Sequence, residues 1–148
     1  MTDIDALIEG LLDGTIEAIA TDHAPHTEND KCCEFALAPC GISGLETALG
    51  SLLKLVNTGK VPLATIIEKL TAAPARIIGD KHGVSGRLKV GDTADIVIFN
   101  PDIEWIVDTS KFASKGRNTP LSGQKLKGKV IATICCGKVV YRAESEGK

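Results

Sequence analysis

Apolar residues recur with two different periods along this chain. Ile4, Leu7, Ile8, Leu11 and Leu12 fall three and four apart, which predicts a short helix, and Asp13-Gly14 supplies its stop. The next run, Thr15 to Thr21, is short, partly β-branched and closed by polar Asp22-His23. That pattern suits a buried strand delivering polar side chains at its carboxyl end. Leu45, Leu49, Leu52, Leu53, Leu55 and Val56 predict a second helix with a broad apolar face, ended by Asn57-Thr58-Gly59. A third helix is expected from Leu63 to Leu70. Thr71-Ala72-Ala73-Pro74 breaks it, and Pro74 suits the start of a further short helix through Ile78.

Beyond Gly83 the period shortens. Ala94 to Phe99 reads as a strong strand that stops at Asn100-Pro101, and Glu104 to Val107 as another. Val130 to Cys136 reads as a strand joined through Gly137 to Lys138-Val139-Val140-Tyr141 in a hairpin, while Gly86 and Gly91 are expected to serve hairpin turns. Helix, tight turn and strand make one step of an α/β repeat. The chain therefore divides near Gly83 into an α/β part, 1–83, and a β-rich part, 84–148, with no long linker or internal repeat.

Charge narrows the partners. The formal net charge is -2 and basic residues are dispersed among acidic ones, so neither a nucleic-acid stripe nor a polybasic membrane patch is present. No apolar run approaches the roughly 20 residues that span a bilayer, and Met1-Thr2-Asp3-Ile4-Asp5 has no basic region leading into an apolar one. A soluble, cytoplasmic protein is expected. The 5 cysteines fall as Cys32-Cys33, Cys40 and Cys135-Cys136, without a C-x-x-C pair. Adjacent cysteines do not easily chelate one ion together, so small buried or incidental thiols in a reducing compartment are expected.

The chemistry gathers in Thr21-Asp22-His23-Ala24-Pro25-His26, at the carboxyl end of the expected strand. In a parallel α/β barrel that end is where loops converge on the active site. A carboxylate and two imidazoles so close in sequence can bind a metal, exchange a proton or hold an anionic substrate, and the residue types leave all three open. Asp and His after a strand also serve as turn formers. His82 reads as a solvated turn residue, Glu46 as a carboxylate favoured by its helix dipole, and Asn118-Thr119-Pro120 as a turn without chemistry of its own. No nucleotide motif is present.

Thr21-Asp22-His23-Ala24-Pro25-His26, followed by Gly41-Ile42-Ser43-Gly44-Leu45-Glu46-Thr47, is similar to the last barrel strand and following helix of dihydroorotases in the amidohydrolase superfamily. Leu70 to Ala75, Gly86 to Asp95 and Asn118 to Gly123 follow that family in the same order. The resemblance covers nearly the whole chain and implies an α/β fold. It would be the carboxy-terminal portion of a (β/α)8 amidohydrolase barrel plus a small β-rich subdomain, with Thr15 to Thr21 as the last barrel strand. It further implies a zinc-dependent hydrolase of cyclic amides, interconverting dihydroorotate and N-carbamoyl-aspartate in pyrimidine biosynthesis. Zinc, one or two ions, would polarise the amide carbonyl and acidify the attacking water. Asp22 would contact the metal and shuttle the proton from that water to the ring nitrogen. His26 and the main chain of Ala38, Pro39 and Gly41 would hold the substrate's ring and carboxylate.

The chain departs from the family pattern in one large respect. The family's His-x-His pair and its mid-barrel ligands have no counterpart here, since the histidines are His23, His26 and His82. The resemblance thus implies the final third or so of such an enzyme, inactive alone. Related hydrolases, allantoinase or dihydropyrimidinase, are the neighbouring alternative. A non-catalytic, dihydroorotase-like module is the other, and a homo-oligomer or an aspartate transcarbamoylase partner is a possible assembly.

Overall fold

The computed structural model describes residues 2–79 and 86–144. Its helices are α1 (Asp3–Asp13), α2 (Glu28–Lys31), α3 (Leu45–Asn57), α4 (Leu63–Leu70) and α5 (Ala72–Ile78). Its strands are β1 (Ile96–Ile106), β2 (Lys125–Cys135) and β3 (Lys138–Arg142). His82 and the expected boundary at Gly83 lie outside the described residues. Among the described residues no helix is long and apolar enough to cross a membrane.

Local chemistry sets the helix ends. The Thr2 hydroxyl accepts from the Asp5 amide while the Asp5 carboxylate accepts from the Thr2 amide, and α1 closes on Gly14 at φ 90. In α3, Thr47, Gly50 and Leu53 are buried at a spacing of three and form one face. That face lies on β2, where small meets large in both directions. A Cβ on Gly50 would come 3.1 Å from Leu126 Cδ1, and one on Gly128 would come 2.1 Å from Leu53 Cδ1. Leu53 and Leu126, each 1% exposed, are the centre of the core, joined by Val61, Ile66 and Val107.

The three strands form an antiparallel sheet in the order β1-β2-β3. Its β2–β3 hairpin turns on Cys136 and Gly137, at φ 49 and φ 76, the two left-handed residues that a tight hairpin requires. Three sequence expectations are corrected. β1 does not stop at Asn100-Pro101 but runs through to Ile106, taking in the segment expected as a separate strand. The register shifts between Asn100 and Glu104, and the Asp102 amide turns onto Asn100 Oδ1 at 2.8 Å. Because β1 is an edge strand and bulges there, the missing amide of Pro101 costs little. Second, Thr15 to Thr21 forms no strand. A strand exists by pairing, and among the described residues no strand runs beside this segment. Its amides bond elsewhere, Ile16 to Gly10 O and Ile19 to Lys69 O. Third, Gly86 and Gly91 have positive φ but serve no hairpin among the described residues, the turn at 89–92 being closed by the Asp92 amide on Lys89 O. All five cysteines are exposed, which leaves incidental thiols, of the two expected alternatives, over buried ones.

The α3–β2 contact yields a comparison. Gly128 (φ +100) faces Leu53, whereas a Cβ added at Gly123 (φ +74) would meet nothing within 4 Å. Either change to alanine carries the left-handed penalty, about 1–2 kcal/mol. Gly128→Ala should cost about 1–3 kcal/mol more, from overpacking. Urea midpoints of the two variants measure the difference, and equal midpoints would deny the close approach.

Candidate functional site

Asp22 sits at φ 47, the left-handed region that non-glycine residues rarely adopt, and its side chain is exposed. The next residues run beside a second segment. His23 makes a parallel bridge with Ile42, and the Ala24 amide donates to Ile42 O at 2.9 Å. This approach depends on Gly41 (φ +125), where a Cβ would come 2.6 Å from Ala24 Cβ and 2.9 Å from Ala24 O. The two segments, 22–26 and 38–43, form the floor of one corner.

His23 ties that corner to the rest of the molecule. α3 begins at Gly44 without a side-chain cap of its own. The His23 Nδ1 takes that place, accepting from the Gly44 and Leu45 amides at 3.1 and 3.2 Å. With Nδ1 an acceptor, the proton belongs on Nε2, which donates to Ser114 Oγ at 2.9 Å. The Ser114 amide in turn donates to Glu46 Oε1 at 2.8 Å. Glu46 thus does more than favour the helix dipole, since it fixes the serine that orients His23. Its Oε2 is buried with no hydrogen-bond partner.

His26 is held at both ends. Its amide donates to Asn118 Oδ1 at 3.1 Å and its Nε2 donates to Cys40 O at 2.9 Å. Asn118 Nδ2 donates to Gly41 O at 3.0 Å, and the Ser43 amide donates to Asn118 O at 2.8 Å. Lys31 Nζ donates to Gly41 O at 2.8 Å and also to Pro39 O. Ala38, half-buried, closes the short 3-10 turn Phe35–Leu37 that leads into this loop. His26, Pro39 and Gly41 are therefore brought together, through Lys31 and Asn118. Sequence reading missed both. Asn118 stood in a quoted motif as a mere turn, and Lys31 lay in an irregular charged stretch with no signal to mark it. Thr27 caps α2, and its hydroxyl, then its amide, hold the Asp30 carboxyl below its ordinary range.

Zinc fits these residues only in part. Both nitrogens of His23 and the Nε2 of His26 are engaged in hydrogen bonds, which leaves the Asp22 carboxylate and the His26 Nδ1 as the ligand atoms that Asp22, His23 and His26 offer. A catalytic zinc takes about three protein ligands. Among the described residues a different group, Asp95, Cys135 and Cys136, places metal-ligating atoms together. There the neighbouring Cys136 thiol, and then Asp95, push the Cys135 thiol up from its ordinary range.

The model of the amidohydrolase family matches residues 1–140, and the chain belongs to that family. It is 52% identical over 141 residues to a dihydroorotase of Caldanaerobacter subterraneus subsp. tengcongensis, covering 95% of this chain and 32% of that protein. It is 50% identical over 143 residues to a dihydroorotase of Thermoanaerobacter sp., covering 96% of this chain and 32% of that protein. The chain thus spans about a third of the curated relatives that it matches. Among solved structures, an L-hydantoinase (dihydropyrimidinase) from Arthrobacter aurescens superposes with TM-score 0.83 at 33% identity, covering 94% of this chain and 32% of that one. A dihydropyrimidinase from Brevibacillus agri gives TM-score 0.83 at 25% identity, covering 93% and 31%.

Asn118 offers a direct test of the corner. Asn118→Ala removes the acceptor of the His26 amide, and a hydrogen bond of this kind contributes about 0.5–1.5 kcal/mol. Hydrogen exchange at the His26 amide should accelerate by roughly two- to tenfold. Unchanged exchange would remove Asn118 from the role of clamp.

Proposed function

We propose that this chain is the carboxy-terminal part of a dihydroorotase-type cyclic amide hydrolase, with residues 1–83 completing a (β/α)8 barrel and 84–148 forming part of its β subdomain. The closure of the 38–41 loop on His26 carries the reading, because it gathers His26, Pro39 and Gly41 in the corner that follows an exposed, strained aspartate. Two features support a larger barrel. α1 exposes Ile4 by 64% and Leu7 by 58%, an apolar face left uncovered by the described residues, and among those residues the segment 15–21 also lacks strand partners.

In this reading Asp22 takes a proton from the attacking water and returns it to the ring nitrogen as the carbon–nitrogen bond breaks. Zinc, when bound, supplies polarisation of the amide carbonyl, with Asp22 the residue of this chain that contributes to holding it. His26 meets the substrate carboxylate. Its Nε2 is committed to Cys40 O, so Nδ1 is the remaining nitrogen, and it donates to a carboxylate in the imidazolium form. The left-handed Asp22 and the bonds of His23 to α3 support this reading by holding the backbone from which the two side chains project.

The hydantoinase likeness favours a second reading, a ring-opening hydrolase of uncharged cyclic amides. A chimera separates the two: this chain placed in the corresponding third of the Caldanaerobacter relative, assayed on dihydroorotate and dihydrouracil. Asp22→Asn should lower kcat by at least about 10²–10⁴-fold with the fold intact. Near-normal turnover at normal metal content would remove Asp22 from the mechanism.

His26→Ala should lower kcat/KM for dihydroorotate roughly ten- to hundredfold, since a hydrogen bond to a charged group contributes about 1.5–3 kcal/mol. Dihydrouracil, which lacks the carboxylate, should be little affected. Equal losses on both substrates would mean that His26 serves the fold or the metal.

A further inference from the structure

We infer that the β2–β3 hairpin is a metal site in its own right, in which Cys135, Cys136 and Asp95 bind one soft divalent cation of the zinc class. Adjacent residues on a regular strand point to opposite faces, which would keep two neighbouring thiols apart. Here Cys135 is the last residue of β2, and Cys136 leaves the strand at φ 49. The left-handed step brings the second thiol round to the first. Both Sγ atoms and a carboxylate oxygen of Asp95 lie within 4.8 Å of one another. Two sulfurs that are each about 2.3 Å from one zinc lie no more than about 4.6 Å apart, so closing on an ion asks for side-chain rotation and a shift on the order of 1 Å.

The third ligand is already positioned. Asp95 Oδ1 accepts from the Cys136 amide at 2.7 Å, and the Gly137 amide donates to Ala94 O at 3.0 Å. The two bonds dock the hairpin tip on the 94–95 segment. A tight turn of this kind favours Asn, Asp or Gly at its first central position, and this chain has cysteine there. Two thiolates and a carboxylate suit zinc or cadmium and discriminate against magnesium and calcium. All three residues are exposed, so a fourth position stays open to solvent. On binding, each thiol gives its proton to the buffer as its sulfur–metal bond forms, and the two thiolates, the carboxylate and the dication sum to one negative charge. Nothing here depends on the catalytic reading of Asp22 and His26.

The test uses the whole chain, stripped of metal and reduced with a phosphine, titrated with cadmium while thiolate-to-metal charge-transfer absorption is recorded. The expected result is one equivalent bound, displaced by zinc and not by equal magnesium. Cys135→Ser with Cys136→Ser should abolish the band, while Cys32→Ser with Cys33→Ser should leave it. Asp95→Asn should weaken binding by at least about ten- to hundredfold, by analogy with losses of supporting groups at metal sites. The serine pair retains the backbone bonds of the hairpin, and unchanged circular dichroism in it ties a lost band to the ligands. A full band in the Cys135/Cys136 variant, its loss in the Cys32/Cys33 variant, unaltered affinity in Asp95→Asn, or displacement by magnesium would each overturn the site.

Discussion

One imidazole governs the geometry around Asp22. His23 accepts two amides at the start of α3 on one nitrogen and donates to Ser114 on the other, so a single ring joins the Asp22 turn, a helix and the 109–118 region. The arrangement works only in the neutral Nε2–H tautomer, because an imidazolium would turn a donor toward amides that are themselves donors. Glu46 completes it by fixing Ser114 from the first turn of the same helix. Asp22 holds its rare backbone conformation because its neighbour cannot move without uncapping α3.

α3 is in turn fixed by the sheet. Gly50 receives Leu126 and Gly128 receives Leu53, an exchange of small for large that sets both the depth and the position of the helix along β2. Trp105 adds a bond from its indole N–H to Gly128 O at 2.8 Å, which links β1 to the same point. The β-rich part is therefore the base on which the helix stands, and through the helix it bears on the corner that carries Asp22 and His26. Asn118 makes a second connection from the same part, directly to His26, Gly41 and Ser43.

What the sequence disclosed followed from how local each signal is. The helices α1, α3, α4 and α5 were legible because their apolar spacing and their stops, Gly14, Gly59 and Gly79, are read within a few residues. The passage of β1 through Pro101 was not, since whether a proline can be accommodated depends on the strand's place at the sheet edge. The strand expected at Thr15 to Thr21 needs neighbours that no described strand supplies. Within the site, Asp22, His26 and Gly41 stood out as chemistry or as motif. Lys31 and Asn118 act through main-chain carbonyls and amides, and such partners leave no pattern in the sequence. The closeness of the Cys135 and Cys136 thiols was not legible either, because it rests on one left-handed φ.

Assigning the substrate carboxylate to His26 is the step on which the dihydroorotase reading stands or falls. A crystal structure of the chimera with N-carbamoyl-aspartate tests it most directly. The expected pose has a substrate carboxylate within hydrogen-bond distance of His26 Nδ1, against the loop of Pro39 and Gly41, with the reacting nitrogen facing Asp22. A well-ordered ligand with both carboxylates turned away from His26, in a folded and metal-loaded enzyme, would contradict it.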